Sequence, residues 1–254
     1  MKIHRFVVKD IDLASLALGK TITINDNKVI WQIRRVLRLK IDHQVKFLDG
    51  IKTEILGRIK QLDKEELIVE VENIQEFIPK REIIVGLPVI KFNRLEWAVE
   101  KLSELGITDI IPVYMENSSF SDSNSDFSNK IKRWQDIAKE AIEQSEGFKI
   151  PQITSPLKLV SLIDLYKDSQ PDLLKIMLNT DTKIPNMVNS LYNLNLDKYS
   201  KYIILAGCEG GFTNNEVKMA QDNGFIQMNL GKTILRVETA LICATAILKN
   251  FSEF

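Results

Sequence analysis

The sequence has few of the residues that cross-link small folds by disulfide bonds or bind metals. Its 254 residues contain two cysteines, Cys208 and Cys243, and two histidines. Two cysteines are too few for a disulfide scaffold or a zinc cluster, and in a reducing compartment a free cysteine behaves as a small apolar residue. We therefore expect neither a disulfide framework nor a metal site.

Long apolar runs are also missing. The longest candidate, "ALICATAIL" at 240–248, has nine residues, whereas a membrane-spanning helix needs about 20. No signal-peptide pattern opens the sequence. We therefore expect a cytoplasmic protein with no membrane partner.

The net charge is zero, since 34 Lys and Arg balance 34 Asp and Glu. No global polyelectrolyte partner is implied, but the charge is unevenly distributed. Residues 26–60 carry nine Lys and Arg against four acids, and residues 61–76 are acidic. The basic excess indicates either an anionic partner for the N-terminal part or a solvated basic face.

Residues 1–73 have mostly strand-like patterns. "IHRFVV", "TITI" and "ELIVEVEN" are typical of short strands, and Asp49-Gly50 is a hairpin signal. The stretch 27–39 has a helical period, with Val29, Ile33, Val36 and Leu37 on one face. Short strands with one helix predict a small β-barrel.

Residues 74–254 alternate strands with amphipathic helices, which predicts an α/β domain with a mainly parallel sheet covered on both faces. The domain boundary is expected near residues 72–80. One Ser/Asn/Asp-rich stretch, 116–130, is typical of a surface loop.

The stretch "AGCEGGFTNNEV" at 206–217 joins an apolar strand to a helix start. Thr213 and Glu216 fit the capping-box spacing. In parallel α/β sheets, ligands bind beyond the carboxyl ends of strands, and glycines let the backbone approach them. The loop is therefore a candidate ligand site, with a plain strand-to-helix turn as the alternative.

Two common glycine motifs do not fit. The spacing G-x-x-G-G is not the G-x-G-x-x-G of dinucleotide-binding folds. Gly231-Lys232-Thr233 ends like a Walker loop, but Ile226 stands where that loop requires its first glycine. A nucleotide triphosphatase is therefore disfavoured.

A second strand-loop-helix unit follows at once. A strand at 225–230 leads through a loop beginning at Gly231 into a terminal helix that is apolar nearly all round, which predicts burial by the core or by a second subunit. Arg236 and Glu238 lie at the mouth of that helix, as a functional pair or as a simple ion pair. The two units together predict one ligand site.

These motifs resemble a known family. "GCEGGFTNNEV" followed by "LGKTILRVETA" is similar to the signature of SPOUT-class RNA methyltransferases, and more narrowly of the RsmE group. That group methylates N3 of a uridine in small-subunit (16S) ribosomal RNA with S-adenosylmethionine. "EKLSELGITDIIPV", "RWQDIAKEAIEQSEGFKIPQI" and the N-terminal "VLRLKIDHQVKFLDG" extend the resemblance over both domains.

The resemblance implies a PUA-like RNA-binding barrel (1–73), a SPOUT domain with a C-terminal trefoil knot (74–254), a homodimer, and S-adenosylmethionine as cofactor. Sequence pattern alone favours an unknotted chain. The implied cofactor-binding residues come from three loops: Leu178, Asn179, Gly207, Glu209, Gly210, Gly211, Leu230, Gly231, Ile234, Leu235 and Thr239.

Three residues are implied in the chemistry. Arg236 is the candidate for stabilising negative charge that develops on the uracil. Glu209 and Glu238 are candidate bases or orienting groups, with capping or ion pairing as the alternative. The substrate would be small-subunit ribosomal RNA or the assembled small subunit. The expected phosphate contacts, each of which could equally be an idle surface charge, are Arg5, Arg34, Arg35, Arg38, Lys40, Arg94 and Arg133.

The sequence departs from the RsmE pattern at three positions. Cys208 stands where the family usually has proline, and Gly147 and Asn117 stand at or near positions where arginine is common. Two alternatives therefore stay open: a SPOUT methyltransferase for another RNA position, and a non-catalytic RNA-binding protein of this fold.

Overall fold

The computed structural model describes residues 3–9, 11–118, 127–167 and 171–253. The chain forms two compact units. The N-terminal unit comprises Met1–Ile78 and Ile142–Ile150, and the C-terminal unit comprises Pro79–Ala141 and Pro151–Phe254. The return of 142–150 to the N-terminal unit has no signature in composition, so the sequence did not predict it.

The N-terminal unit is a five-stranded sheet in the order β1-β3-β4-β5-β2. β1 and β3 pair in parallel and the other neighbours are antiparallel. Its core is one cluster of aliphatic side chains with Phe6 and Phe47. The strands are β1 His4–Val7, β2 Thr21–Ile24, β3 Gln44–Leu48, β4 Thr53–Leu62 and β5 Leu67–Glu76.

The β3–β4 hairpin forms where the Asp49-Gly50 signal predicts it. One Asp49 carboxylate oxygen accepts hydrogen bonds from the backbone N–H groups of Ile51, Lys52 and Thr53 at 2.7–3.0 Å. Gly50 has φ +72°, a conformation that costs glycine little. The turn therefore satisfies its own backbone donors and fixes the register of the two strands.

The predicted helix at 27–39 is shorter and less regular than its periodicity suggests. α1 spans Asn27–Trp31 and continues as a π-helical turn, Gln32–Val36. The extra residue in this turn rotates the side chains that follow. Val29 and Ile33 are buried as predicted, but Val36 is 54% exposed, so its assignment to the apolar face was wrong.

The C-terminal unit is built on a seven-stranded sheet with the order β12-β10-β11-β6-β7-β8, and β9 also pairs with β7. Every one of these pairings is parallel. The strands are β6 Glu82–Pro88, β7 Asp109–Tyr114, β8 Gln152–Ile153, β9 Leu157–Lys158, β10 Leu173–Leu178, β11 Lys201–Leu205 and β12 Ile226–Met228.

Helices cover both faces of this sheet. α7 packs on β6, β11 and α2, whereas α4 packs on β7 and α6. The helices are α2 Phe92–Glu104, α3 Ser128–Ser145, α4 Leu159–Leu165, α5 Met187–Tyr192, α6 Asn214–Asp222 and α7 Val237–Glu253. None of the helices described is long and apolar enough to cross a membrane.

The central part of the predicted Ser/Asn-rich loop, 119–126, lies outside the described residues. The predicted parallel α/β architecture is present, and the trefoil knot stays a prediction. Because β12, β10 and β11 are parallel neighbours, their carboxyl ends meet at one edge of the sheet. That edge is where the chain places its glycine loops.

Candidate active site

Three loops converge at the carboxyl edge of the C-terminal sheet. They follow β10, β11 and β12 and include residues 178–180, 206–212 and 229–236. β6, the neighbour of β11, ends at the same edge and leads into α2. Four segments far apart in sequence therefore contribute to one site.

The loops after β10 and β12 are joined to each other. The Asn179 backbone N–H donates to the Met228 carbonyl at 2.9 Å, and Asn179 Nδ2 donates to Gln227 Oε1 at 2.6 Å. Asn229 Oδ1 accepts from the Gly231 N–H at 2.9 Å, and Asn229 Nδ2 donates to the Ile184 carbonyl. These polar side chains therefore hold the two loops in place.

The glycine loop turns sharply. Gly211 has φ +70°, and its N–H donates to the Cys208 carbonyl at 2.9 Å. A Cβ on Gly207 would stand 3.1 Å from the Gly211 backbone, and one on Gly210 would stand 2.8 Å from Asn117 Cβ. Asn117 Nδ2 also donates to the Gly210 carbonyl at 3.1 Å. The glycines are therefore required by close backbone approach, and Asn117 fastens the loop from outside.

The predicted capping box is confirmed. The Glu216 N–H donates to Thr213 Oγ1 at 3.2 Å, and the Thr213 N–H donates to Glu216 Oε2 at 2.8 Å. Glu216 Oε1 also accepts from the Glu116 N–H at 3.0 Å. The buried Glu216 carboxylate thus ties the start of α6 to the segment that contains Asn117.

The loops enclose a cavity of about 650 Å³. This is within the roughly 300–1,000 Å³ of small-molecule sites. Thr239, a predicted cofactor residue, does not line it and is half-buried in the first turn of α7. The other ten predicted cofactor residues line it, although their role stays a prediction: Leu178, Asn179, Gly207, Glu209, Gly210, Gly211, Leu230, Gly231, Ile234 and Leu235.

One arginine connects two carboxylates at this cavity. Arg94, in the first turn of α2, forms a two-point pair with Glu238 through Nε–Oε1 at 2.8 Å and Nη2–Oε2 at 2.6 Å. Its Nη1 reaches Glu209 Oε1 at 2.6 Å. The Arg94 and Glu238 side chains are 21% and 6% exposed, whereas Glu209 is 50% exposed.

Burial and ion pairing have opposite effects on the pKa of Glu238. Burial acts to raise the pKa of this carboxyl, but the hydrogen bonds and charge of Arg94 outweigh it, so the pKa lies below its usual value. The hydrogen bond to Glu238 raises the pKa of Arg94. Glu238 is therefore an ionised, paired group at neutral pH, and a weaker base than an ordinary glutamate.

Arg236 differs from Arg94. It lines the cavity and is exposed, and it forms no ion pair among the residues described. The ion pair of Glu238 is formed with Arg94 rather than with Arg236, and the charge of Arg236 only adds to the lowering of the Glu238 pKa. Arg236 is thus an available cation at the mouth of the cavity.

Two family models match this chain. The RNA methyltransferase domain matches residues 78–249, and the RNA methyltransferase PUA domain matches residues 24–72. The ribosomal RNA small subunit methyltransferase E of Buchnera aphidicola subsp. Acyrthosiphon pisum is 30% identical over the whole of this chain and 96% of its own. The enzyme of the same name from Mesomycoplasma hyopneumoniae is 34% identical over 71% of this chain and 74% of its own.

This chain belongs to the ribosomal RNA small subunit methyltransferase E family. A member of the family from Neisseria gonorrhoeae, solved with S-adenosyl methionine bound, superimposes with a TM-score of 0.80 at 23% identity and covers 98% of each chain. That likeness shows the shared fold. The predicted fold class, a SPOUT domain preceded by a PUA-like domain, is confirmed.

Cys208, the residue at the position where the resemblance leads one to expect proline, lies in the core of the C-terminal unit. Cys208 is 5% exposed, and its Sγ lies 3.6 Å from the Gly211 carbonyl oxygen. Burial raises the pKa of the thiol. The side chain therefore acts as an apolar filler beneath the glycine loop, and its weak hydrogen bond helps to hold the turn.

The expected RNA-contacting cations fall into two groups. Arg5 is 8% exposed, its Nε donates to Glu54 at 2.6 Å, and its guanidinium stacks over Phe148. A buried, paired guanidinium is a poor phosphate ligand, so Arg5 leaves the expected set. Arg133 is 67% exposed but forms a two-point pair with Glu96.

Arg94 is paired with Glu209 and Glu238. The remaining four cations lie on or after the helix of the N-terminal unit. Arg35, Arg38 and Lys40 are exposed and Arg34 is half-buried. None of the four forms an ion pair within the described part of the chain.

No group of three or more His, Cys, Asp or Glu residues among those described could hold a metal ion.

Proposed function

We propose that this protein transfers the methyl group of S-adenosylmethionine to N3 of a uridine in small-subunit ribosomal RNA. The observation that carries the proposal is the glycine-loop cavity at the ends of three adjacent parallel strands. Its Buchnera and Mesomycoplasma relatives bear the name of a small-subunit ribosomal RNA methyltransferase, and the Neisseria relative was solved with the proposed cofactor. The choice of uridine N3 rests on the motifs quoted above.

The cavity suits the proposed cofactor in size and lining. Gly207 and Gly210 line the cavity, and a Cβ on either would press on Gly211 or Asn117, so only glycine allows the tight turn that brings backbone N–H and carbonyl groups to the cavity wall. Leu178, Leu230 and Leu235 supply apolar surface from the other loops. We propose that 178–180, 206–211 and 230–235 bind the cofactor.

The cofactor supplies an activated methyl group, so the protein has to align the acceptor and manage its charge. The uridine N3 proton must leave before the nitrogen can attack, and negative charge then spreads over the uracil. Arg236, exposed and without an ion pair among the described residues, is suited to stabilise that charge. Glu209 lines the cavity and its side chain is half exposed, so of the two carboxylates it is the one that a bound uridine could reach.

Glu238 has a different role in this proposal. Its lowered pKa and its two bonds to Arg94 make it a positioning residue. Arg94 in turn reaches Glu209 in the glycine loop. We infer that Glu238 orients Arg94, and that Arg94 fixes the position of Glu209.

Substrate, assembly and location complete the proposal. Residues 1–73 would bind RNA, residues 74–254 would catalyse transfer in the cytoplasm, and the substrate would be ribosomal RNA or the assembled small subunit. We also propose a homodimer. Its support is a set of partly exposed apolar residues on α7, in which Ile242 and Ala246 lie four positions apart, as do Cys243 and Ile247.

Calorimetric titration with S-adenosylmethionine tests the cofactor, using the wild type and a Gly210→Trp variant. A tryptophan at 210 would collide with Asn117, so the variant should not bind. Transfer of a radiolabelled methyl group to small subunits lacking the modification, with mapping of the modified base, tests the reaction. Absence of cofactor binding, with and without RNA, would refute the proposal, and methylation at another atom would refute the assignment to N3.

A further inference from the structure

Most cations on the sheet of the N-terminal unit are neutralised locally. Each pairs with a carboxylate on β4 or β5. The pairs are Arg5–Glu54, Lys46–Glu54, Lys52–Glu76, Arg58–Glu72 and Lys60–Glu70.

The helix of this unit carries a different kind of charge. Arg34 and Arg35 follow Trp31 by three and four residues, and all three residues line one groove. Lys64, in the β4–β5 turn, lines the same groove. Among the residues described, none of the three cations forms an ion pair. These three cations are therefore available to an anionic ligand.

Trp31 forms the wall of that groove. Its neighbours Ile30 and Ile33 are 1% and 0% exposed and anchor the helix to the core, whereas Trp31 is 60% exposed. It forms no ring contact or cation–π contact with any described residue. The groove has a volume of about 390 Å³, and it lies where α1 passes into the π-helical turn. Such turns are frequent at functional sites.

We propose that the Trp31 groove (Asn27, Trp31, Arg34, Arg35 and Lys64) binds one unpaired nucleotide of an RNA strand. The base stacks on the exposed indole, and the cations hold the phosphates on either side. This subsite rests on the proposed function, since it assumes an RNA substrate. It is a second contact, distinct from the cavity where methyl transfer would occur.

Charge and shape favour RNA over a protein partner. Exposed aromatic rings bind bases of any sequence by stacking, and cations around them follow the backbone. Tryptophan and arginine also occur at protein interfaces, but the core of such an interface is depleted of charge and lysine is depleted across it. Here one acid, Glu65, accompanies three cations in the lining. The groove therefore matches a single-stranded polyanion with an accessible base.

Fluorescence anisotropy with labelled RNA tests the subsite. The probe is a dodeca-uridylate, which forms no stable secondary structure, and a 12-base-pair RNA duplex of unrelated sequence is the comparison. Trp31→Ala should weaken binding of the single strand about 5- to 150-fold and leave binding of the duplex unchanged. Trp31→Phe should retain most of the affinity, since it keeps an aromatic face.

Matched variants separate stacking from charge. Trp97→Ala removes another exposed tryptophan, from α2, and Lys52→Gln removes a paired lysine of the same unit. Both should bind RNA like the wild type. Arg35→Gln should reduce the slope of log Kd against log salt by about 0.7 for one lost phosphate contact. Trp31→Ala should leave that slope unchanged.

Several outcomes would overturn the subsite. Equal affinities for the wild type and Trp31→Ala would do so, as would an equal loss on duplex RNA. If Trp31→Ala binds the oligonucleotide like the wild type but binds small subunits more weakly, the groove would instead contact a ribosomal protein. Cofactor titration of the same variants keeps the two proposals apart: a normal Kd for S-adenosylmethionine with no effect of Trp31 on RNA refutes only the subsite.

Discussion

Replacing Arg94 by alanine should destabilise the C-terminal unit strongly, because the change leaves Glu238 buried without its partner. The Glu238 side chain is 6% exposed, and Arg94 holds both of its oxygens. Breaking a wholly buried pair costs about 3–5 kcal/mol. Arg94 retains 21% exposure, so we expect a loss of about 2–4 kcal/mol in the free energy of unfolding at pH 7.

The same protein contains a matched control. Arg133 forms an equivalent two-point pair with Glu96 in the same unit, but the Arg133 side chain is 67% exposed. Solvent screens such a pair, so Arg133→Ala should cost less than about 1 kcal/mol. Denaturant unfolding followed by tryptophan fluorescence, with the fully buried Trp134 as reporter, measures both variants. Equal losses for the two would refute the argument that burial sets the cost.

The effect of Arg94→Ala should also depend on pH. In the wild type the pKa of Glu238 is lowered, so its contribution to stability is present above about pH 4.3, its unfolded value, and is lost as pH falls through the folded value. In the variant the influence of Arg94 is lost, so burial, which raises the pKa, is opposed only by a backbone hydrogen bond and the charge of Arg236. The difference between the two proteins should therefore be widest near pH 7 and shrink in acid, by at most about 1.4 kcal/mol per pH unit. A difference that grows in acid would contradict this assignment.

Three further experiments test the residues that support the glycine loop. Asn117→Ala removes the amide that donates to the Gly210 carbonyl, and should weaken S-adenosylmethionine about 2- to 12-fold by calorimetry; an unchanged Kd would show that this tether is dispensable. Glu216→Ala removes the acceptor of the Thr213 N–H, and should lower the free energy of unfolding by about 2–3 kcal/mol, whereas a loss below about 0.5 kcal/mol would refute its structural role. Cys208 is buried and the pKa of its thiol is raised, so alkylation at pH 7.5 followed by mass spectrometry should label it far more slowly in the folded protein than in denaturant. Equal rates would contradict that burial.

Local signals predicted most elements of the C-terminal unit. Apolar runs and helical periods are properties of short segments, and the capping box joins residues three apart. The rule that parallel strands bind ligands at their carboxyl ends then located the site. The same rule could have found Arg94, because its helix follows the end of β6, a neighbour of β11.

Contacts between residues far apart in the sequence could not be predicted from it. Arg94 and Glu238 are separated by 144 positions, and Asn117 and Gly210 by 93. Which side chains meet depends on strand order and register, which no local pattern specifies. A local pattern can also fail. The extra residue of the π-helical turn places Val36 at the surface, whereas a regular helical period of 3.6 predicts that it is buried.

The charge pattern shows how register turns a neutral composition into a basic surface. In sequence, the basic excess of 26–60 is followed by the acidic run of 61–76. In the fold, β4 and β5 lie antiparallel with Arg58 opposite Glu70, so the acidic run neutralises strand cations such as Arg58 and Lys60. The helix lies outside this ladder, so its cations are not neutralised in this way. Pairing across the ladder therefore decides which cations an RNA could meet, and those left over include the two arginines that follow Trp31.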